Sequence, residues 1–430
     1  MRLSPTLGLG LLLAVSGCTE SKRPPAYDGG WGEFPPVIPG SGTGDAGADG
    51  STQDGGTGRC TVLPLDLYDS SSAVGLGLAV APRAADFLVS WASRDPSVNP
   101  PSNVYLRSVG AVLGSLGTTN GYLLSDAIVG GPAILPRTSG VLLAFSQTFT
   151  EVGALQIDVV TQHLDVNLSA DANAERAATT LADETFLDGV TRTDQLATVA
   201  MLSTTVDAAT SSATTSLAFG DLDVDGLFAY GPAEIADTTN VAAPPSVANV
   251  GGSVFAAFRR TTGAVELVEL QHATDCIPMP VAVATSGQDL DLAGDDTGGA
   301  LVFDASTLGR PVVRFLPLGP TGTPAGSAVD VNAAPISATD GAVTMLGTQR
   351  LVVYRGTVDG STYVLRASVV DASGRAVSDQ VVATGIAGQG QVEIASIGSD
   401  RALVVFAEKS VNATGAIPGY RVRGALLGCP

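Results

Sequence analysis

The sequence predicts an all-β fold built from seven copies of one four-stranded antiparallel unit. Three observations predict it. Apolar runs of strand length, each ending in an aromatic or bulky residue, recur at intervals near fifty residues. Valine, threonine, alanine and glycine dominate, and helical stripes at i, i+3, i+4, i+7 are missing. Glycine or polar clusters punctuate the runs. With 430 residues, of which 45% are hydrophobic and 15% charged, the chain can bury a large core and is not disordered as a whole.

The first element in chain order stands outside that fold. Met1-Arg2 carries one positive charge, an apolar stretch runs from Leu7 to Val15, and the small residues Ser16-Gly17 precede Cys18. A membrane span needs about 20 apolar residues, so this shorter stretch reads instead as a signal peptide over residues 1–17. Val15-Ser16-Gly17-Cys18 resembles the lipobox of bacterial lipoproteins, in which an aliphatic and two small residues precede a cysteine that is thioether-linked to diacylglycerol before cleavage. The resemblance implies lipidation of Cys18, with palmitate-type acyl chains, and anchorage to a membrane through that lipid. Thr19, where inner-membrane lipoproteins commonly have Asp, implies the outer membrane. The alternative is a secreted protein whose Cys18 joins a disulfide.

Residues 18–58 form the second element. Pro24-Pro25, Gly29-Gly30, Pro35-Pro36 and Gly40-Ser41-Gly42-Thr43-Gly44-Asp45 follow no period, and such mixtures bury too little apolar surface to offset chain entropy. They read as a flexible tether of about 35 Å root-mean-square span. Trp31 and Phe34 are its aromatic pair.

From residue 59 to 430 the repeat unfolds. Phe87-Leu88-Val89-Ser90-Trp91, Val141-Leu142-Leu143-Ala144-Phe145, Leu196 to Leu202, Val254-Phe255-Ala256-Ala257-Phe258, Ala300-Leu301-Val302-Phe303, Leu351-Val352-Val353-Tyr354 and Arg401 to Ala407 are seven copies of a buried strand. Third strands recur at Asn103 to Arg107, Pro311 to Phe315 and Tyr363 to Val370, the last followed by the turn Asp371-Ala372-Ser373-Gly374. A period near fifty with several strands per period is what a four-stranded propeller blade requires. By period and strand order this domain resembles seven-bladed β-propellers, without WD40 Trp-Asp dipeptides, sialidase Asp-boxes or regular kelch glycine pairs.

The last blade has strands at 391–398, 401–407 and 420–427, and lacks a fourth at the carboxyl end. Thr61-Val62-Leu63-Pro64-Leu65-Asp66-Leu67 supplies it. Aligning Tyr420 with Tyr363 puts Cys429 at the turn position of Ala372, and Cys60 begins the strand that follows. A Cys60–Cys429 disulfide then replaces the missing hairpin turn, closing a loop for which chain entropy approaches about 5 kcal/mol. Cys276 falls in a turn across the ring and is left as a lone thiol; the competing pairing is Cys276 with Cys429.

The net charge of −20, with Lys22 and Lys409 as the only lysines, argues against nucleic acid, because phosphate binding requires clustered cations. Asp221-Leu222-Asp223-Val224-Asp225-Gly226 has the alternating carboxylates of a calcium loop, but Pro232 stands where the bidentate acid belongs. Matched to blade six, Asp223 aligns with Asp371 and Gly226 with Gly374, so the same residues also read as a plain hairpin turn. Asp289, Asp291, Asp295 and Asp296 cluster around the first strand of blade five, where they read either as solvated turn residues or as ligands or acid–base groups near the channel. His163 and His272 lack zinc-ligand spacing, and Trp31 and Trp91 are too few for an aromatic carbohydrate cleft. No Gly-x-Ser-x-Gly elbow or phosphate loop precedes a helix. No cofactor is implied beyond the weak calcium motif.

With no catalytic set in view, the sequence favours a surface-tethered binding or scaffolding module for a protein or glycan ligand. The alternatives are a propeller hydrolase or lyase acting on extracellular polymer, and a structural component of an envelope complex. Two acids converging with a histidine or arginine at the mouth of the ring would favour the enzyme.

Overall fold

Alternation along a strand explains why the recurrent runs are apolar without interruption. Phe87, Val89 and Trp91 pack toward the blade formed by the end of the chain, whereas Leu88 and Ala92 pack toward the blade that follows. In the last blade Ala402, Val404 and Phe406 face one neighbour and Leu403, Val405 and Ala407 face the other. A strand flanked by sheets on both sides needs apolar side chains at every position.

The computed structural model describes residues 59–430, apart from short stretches of which 96–101, 124–127, 271–279 and 412–417 are the longest. The leader, Cys18, the tether with Trp31 and Phe34, Cys276 and His272 lie outside the described residues. Seven antiparallel four-stranded sheets make up the rest. Blade one is Val74–Arg83, Asp86–Arg94, Ser102–Gly110 and Asn120–Leu123. Blade two is Ala133–Arg137, Gly140–Glu151, Ala154–Leu164 and Glu175–Arg176. Blade three is Asp183–Thr191, Ala197–Asp207, Ser212–Leu222 and Phe228–Glu234; blade four is Ser246–Val250, Ser253–Arg259, Val265–Glu269 and Val281–Ala284. Blade five is Gln288–Asp295, Gly298–Thr307, Arg310–Leu318 and Val329–Asp330; blade six is Ser337–Leu346, Gln349–Thr357, Tyr363–Val370 and Ala376–Ile386. Within each sheet the strands pair in chain order from the inside out.

Blade seven breaks that order. Its strands Val392–Ile397, Arg401–Val411 and Pro418–Gly428 are completed on the outside by Thr61–Ser70, with Thr61 opposite Gly428 and Ser70 opposite Tyr420. The first strand of each blade packs on that of the next, and blade seven's packs on blade one's, so the chain closes a ring: a seven-bladed β-propeller. Seven apolar clusters fill the seven junctions between blades, so the core is divided among interfaces instead of lying at the axis.

The disulfide joins Cys60 to Cys429 across 369 positions, with Cα atoms 4.0 Å apart. It occupies the place that a hairpin turn fills in other blades. In blade six the Asp371 carboxylate accepts from the amides of Ser373 at 2.9 Å and Arg375 at 3.0 Å, and Gly374 sits at φ 84°. In blade three Asp223 accepts from Asp225 and Leu227, both at 3.0 Å, with Gly226 also at φ 84°. Blade two repeats the turn at Asp165, which accepts from Asn167 and Ser169. A short acid that accepts from the amides two and four residues on, around a third residue at positive φ, is common to all three turns; that residue is glycine in two of them and Leu168, at φ 64°, in blade two. The alignment of Asp223 with Asp371 therefore has a structural cause.

Candidate functional site

Inner strands line the axis, and four of them carry a bulge near the end at which they begin. Pairing slips at Leu76 in blade one, at Phe186–Leu187 in blade three, at Asp289 in blade five and at Asp340–Gly341 in blade six. A bulge re-aims the side chain it inserts. Blades one and three spend the position on apolar residues. The adjacent blades five and six spend it on aspartates.

Asp304 completes the group. It follows Phe303 on the second strand of blade five, opposite Gln288, where the corresponding positions of other blades hold Ala92, Ser146, Ser203, Arg259, Arg355 and Ala407. One carboxylate oxygen from each of Asp289, Asp304 and Asp340 lies within 4.8 Å of the others. Asp289 is exposed, Asp340 half-buried and Asp304 buried, so the group opens to solvent on one side.

The local electrostatics are unusual for three acids. The amides of Asp340 and Gly341 donate to Asp304 at 2.9 and 3.4 Å. Burial nevertheless outweighs those bonds, and with the nearby charges of Asp289 and Asp340 it pushes the Asp304 carboxyl up to about 8. Burial likewise raises Asp340 to about 6, with Arg355 opposing the shift and Asp289 adding to it. Arg355, wholly buried, lies 3.0 Å from the Asp340 carboxylate and donates to the carbonyls of Ala387 at 2.7 Å and Ala407 at 2.9 Å. Its guanidinium is thus committed to holding blades six and seven together. Asp340 itself sits at φ 53°, a left-handed conformation that a non-glycine residue adopts only under constraint.

Such a group has two chemical capacities. Three clustered carboxylates open to solvent on one side can seat a hard cation, leaving its remaining positions to water or to a ligand. Without a cation, the carboxyls of Asp304 and Asp340 titrate on either side of neutrality and can hold or release a proton there.

A second acidic set lines the axis. Asp188, Asp291 and Glu393 come from the inner strands of blades three, five and seven. Asp188 accepts from the amide of Val247 at 2.6 Å and Asp291 from that of Val343 at 2.8 Å, each reaching the inner strand of the next blade. Gln391 bridges Glu393 to the Leu78 carbonyl in blade one. Burial raises all three, Asp188 to about 7 and Asp291 to about 6, and neighbouring acids of the set add to the rise at Asp188 and Glu393. These side chains fasten blade to blade.

The acidic cluster expected in blade five is therefore corrected. It does not act as one group, because the bulge at Asp289 turns that side chain away from the face that carries Asp291, and the strand's two ends lie at opposite faces of the ring. Asp289 joins the mouth, Asp291 the axis, and Asp295 caps Thr297 in the turn at the far end. Asp221, Asp223 and Asp225 are not among the carboxylates gathered within 4.8 Å of one another. Asp221 is buried in its strand, accepting from the Thr198 hydroxyl at 2.5 Å, and Asp223 holds its own turn. His163 lies on the third strand of blade two, away from the acidic group, and Trp91 is core, stacked on Tyr105 with ring centroids 5.4 Å apart.

Sequence reading missed Asp304 and Asp340. A signal existed for Asp304: a charge directly after the bulky residue that ends the buried strand, shared with Arg259 and Arg355. Asp340 has none, since its role depends on a bulge.

No protein-family model matches the sequence, and none of the curated proteins compared with it does. Among solved structures, a protein of unknown function from Dyadobacter fermentans is similar at a TM-score of 0.48 and 14% identity, over 86% of this chain and 99% of that one. The polysaccharide lyase Uly1 is similar at 0.46 and 11%, over 82% of this chain and 90% of that one. A fungal alcohol oxidase in complex with copper is similar at 0.47 and 11%, over 87% and 77%. With every TM-score under one half, none of these likenesses carries an activity to this chain.

Proposed function

We propose that this chain is a lipid-anchored binding module of the cell envelope, which takes a protein or glycan ligand at the mouth between blades five and six through a cation seated by Asp289, Asp304 and Asp340. The observation that carries the reading is the placement of aspartates at adjacent bulges, where blades one and three use apolar residues, beside a third aspartate on the neighbouring strand. The anchor is supported by Val15-Ser16-Gly17-Cys18 and the tether by the composition of residues 18–58. Calorimetric titration with calcium, magnesium and zinc tests the site. One equivalent should bind the native chain, and Asp289→Asn or Asp304→Asn should abolish it; equal binding by the variants, or none by any, removes the proposal. Cys18→Ser tests the anchor, and should release the protein from the membrane fraction.

The polymer-degrading alternative has one observation in its favour. Asp304 and Asp340, raised to about 8 and about 6, form an acid and a base near neutrality in one cluster, beside an arginine. Against it, Arg355 is buried and its guanidinium is turned to two carbonyls and an aspartate, away from solvent and so from an arriving substrate. Incubation with neutral and uronate-containing polysaccharides separates the readings: new reducing ends or unsaturated products that vanish in Asp304→Asn would make the chain an enzyme. Stoichiometric crosslinking of one envelope protein on intact cells would instead identify a structural component of a complex.

A further inference from the structure

Where the described chain begins, the surface is apolar. Leu63, Leu65 and Leu67 share one face of Thr61–Ser70, and their exposure grows toward Cys60: Leu67 is buried, Leu65 half-buried and Leu63 42% exposed. The turn after the third strand of blade one lies across that end. A Cβ added to Gly114 would stand 2.8 Å from Leu63 Cδ2 and 3.2 Å from Leu65 Cδ2, so the turn rests directly on the two leucines. Its flanking residues Val112 and Leu113 are 72% and 80% exposed, and Leu116 is 38% exposed. No charged residue occurs between Ser108 and Gly121. Leu63 and Leu65 thus lie under a turn that exposes Val112, Leu113 and Leu116, with the Arg107 guanidinium at the inner edge, bonded to the carbonyls of Leu67 and Gly117. Exposed apolar side chains gathered at one place mark a contact site.

Chain connectivity says what covers it. The patch begins three residues after Cys60, about 10 Å along a strand. Between residues 19 and 58 the large apolar side chains are Tyr27 and then Trp31, Phe34, Val37 and Ile38, the last four packed into Trp31-Gly32-Glu33-Phe34-Pro35-Pro36-Val37-Ile38. Residues 39–58, rich in Gly, Ser, Thr and Asp, separate that octapeptide from the ring. Such a linker spans about 25 Å root-mean-square, so the octapeptide reaches the patch without strain. Linkage of this length gives a local concentration of about 1 mM, at which a contact with an intrinsic dissociation constant of about 0.1 mM is closed in roughly nine molecules of ten.

We propose that residues 31–38 dock on the patch formed by Leu63, Leu65, Val112, Leu113 and Leu116, pinning the middle of the amino-terminal segment to the base of the ring. The free part of the leash is then residues 18–30, and the ring is held closer to the anchor than the whole segment allows.

Tryptophan emission tests this on the full chain. Trp91 is wholly buried, so subtracting the spectrum of Trp31→Phe from the native one isolates Trp31. The expected Trp31 emission is blue-shifted and resistant to acrylamide. Leu113→Asp and Val112→Asp, at exposed turn positions that leave the melting temperature unchanged, should shift it to the red and open it to quencher. Free-tryptophan emission in the native chain, or indifference to Leu113→Asp, overturns the proposal. Protection that grows with protein concentration would mean that a second copy covers the patch, and protection that appears only with phosphatidylethanolamine vesicles would mean that lipid does; either result also overturns it.

Discussion

Gln380 grips Cys60 by both of its backbone groups: the Cys60 amide donates to Gln380 Oε1 at 3.0 Å, and Gln380 Nε2 donates to the Cys60 carbonyl at 2.9 Å. The outer strand of blade six thereby holds the residue at which blade seven is sealed. Gln380→Ala should cost about 1–2 kcal/mol by chemical denaturation, each lost bond contributing about 1. Because disulfide and amide constrain the same residue, the cost should change when Cys60→Ser is added, and a double-mutant cycle measures that coupling.

Reduction of the Cys60–Cys429 bond should lower stability by at most about 5 kcal/mol, the chain-entropy limit for so long a loop. The loss should be local in its first signs. Hydrogen exchange of 61–70 should accelerate before that of 401–407, because Thr61–Ser70 has a sheet partner on one side only.

Stability should fall as pH rises from about 5 to 8. Asp304, Asp188, Glu184, Asp291 and Asp340 all have folded-state pKa values above their unfolded values, at about 8, 7, 7, 6 and 6. For an acid so shifted, the folded state binds more protons, so its contribution is fully present below about pH 4 and is lost as pH climbs through the folded value. Asp165, Asp207 and Asp371, held down by backbone and side-chain hydrogen bonds in their turns, act in the opposite sense below about pH 4. Melting temperature against pH should therefore peak near 5, and Asp304→Asn should flatten the alkaline limb. A midpoint that climbs steadily from pH 5 to 8 would contradict this.

Asp289 and Asp340 should respond differently to neutralisation. Asp289→Asn removes an exposed charge and should change stability by less than about 0.5 kcal/mol. Asp340→Asn keeps a residue that tolerates positive φ but leaves Arg355 buried without its counter-charge, and should cost about 2–4 kcal/mol. Thermal denaturation of the two variants checks the contrast, and it makes Asp289→Asn the cleaner probe of function.

The fold was legible because both faces of each second strand are buried. Val352, Val353 and Tyr354 announce themselves as a continuous run, the partner of Pro418–Gly428 is legible as the unpaired strand-like run Thr61 to Leu67, and matching Tyr420 to Tyr363 places Cys429 at the turn opposite Cys60. The mouth was less legible. Asp289 is visible in the sequence but reads with its neighbours Asp291 and Asp295, because nothing in the pattern shows the bulge that turns it away from them. Asp304 and Asp340 come from different strands and meet through a bulge, which hydrophobic pattern does not encode.

Strand order also sets a timetable. Thr61 and Gly428, which pair in the finished molecule, are 367 positions apart. During synthesis the earliest segment of the ring waits for the latest, and the wait spans the assembly of six whole sheets. Contacts so remote in sequence form slowly and expose unpaired edges meanwhile. A chain cut short anywhere before Pro418 has no place to lodge its leading segment and no thiol for Cys60 to meet at residue 429, so only a product that reaches Cys429 can be locked.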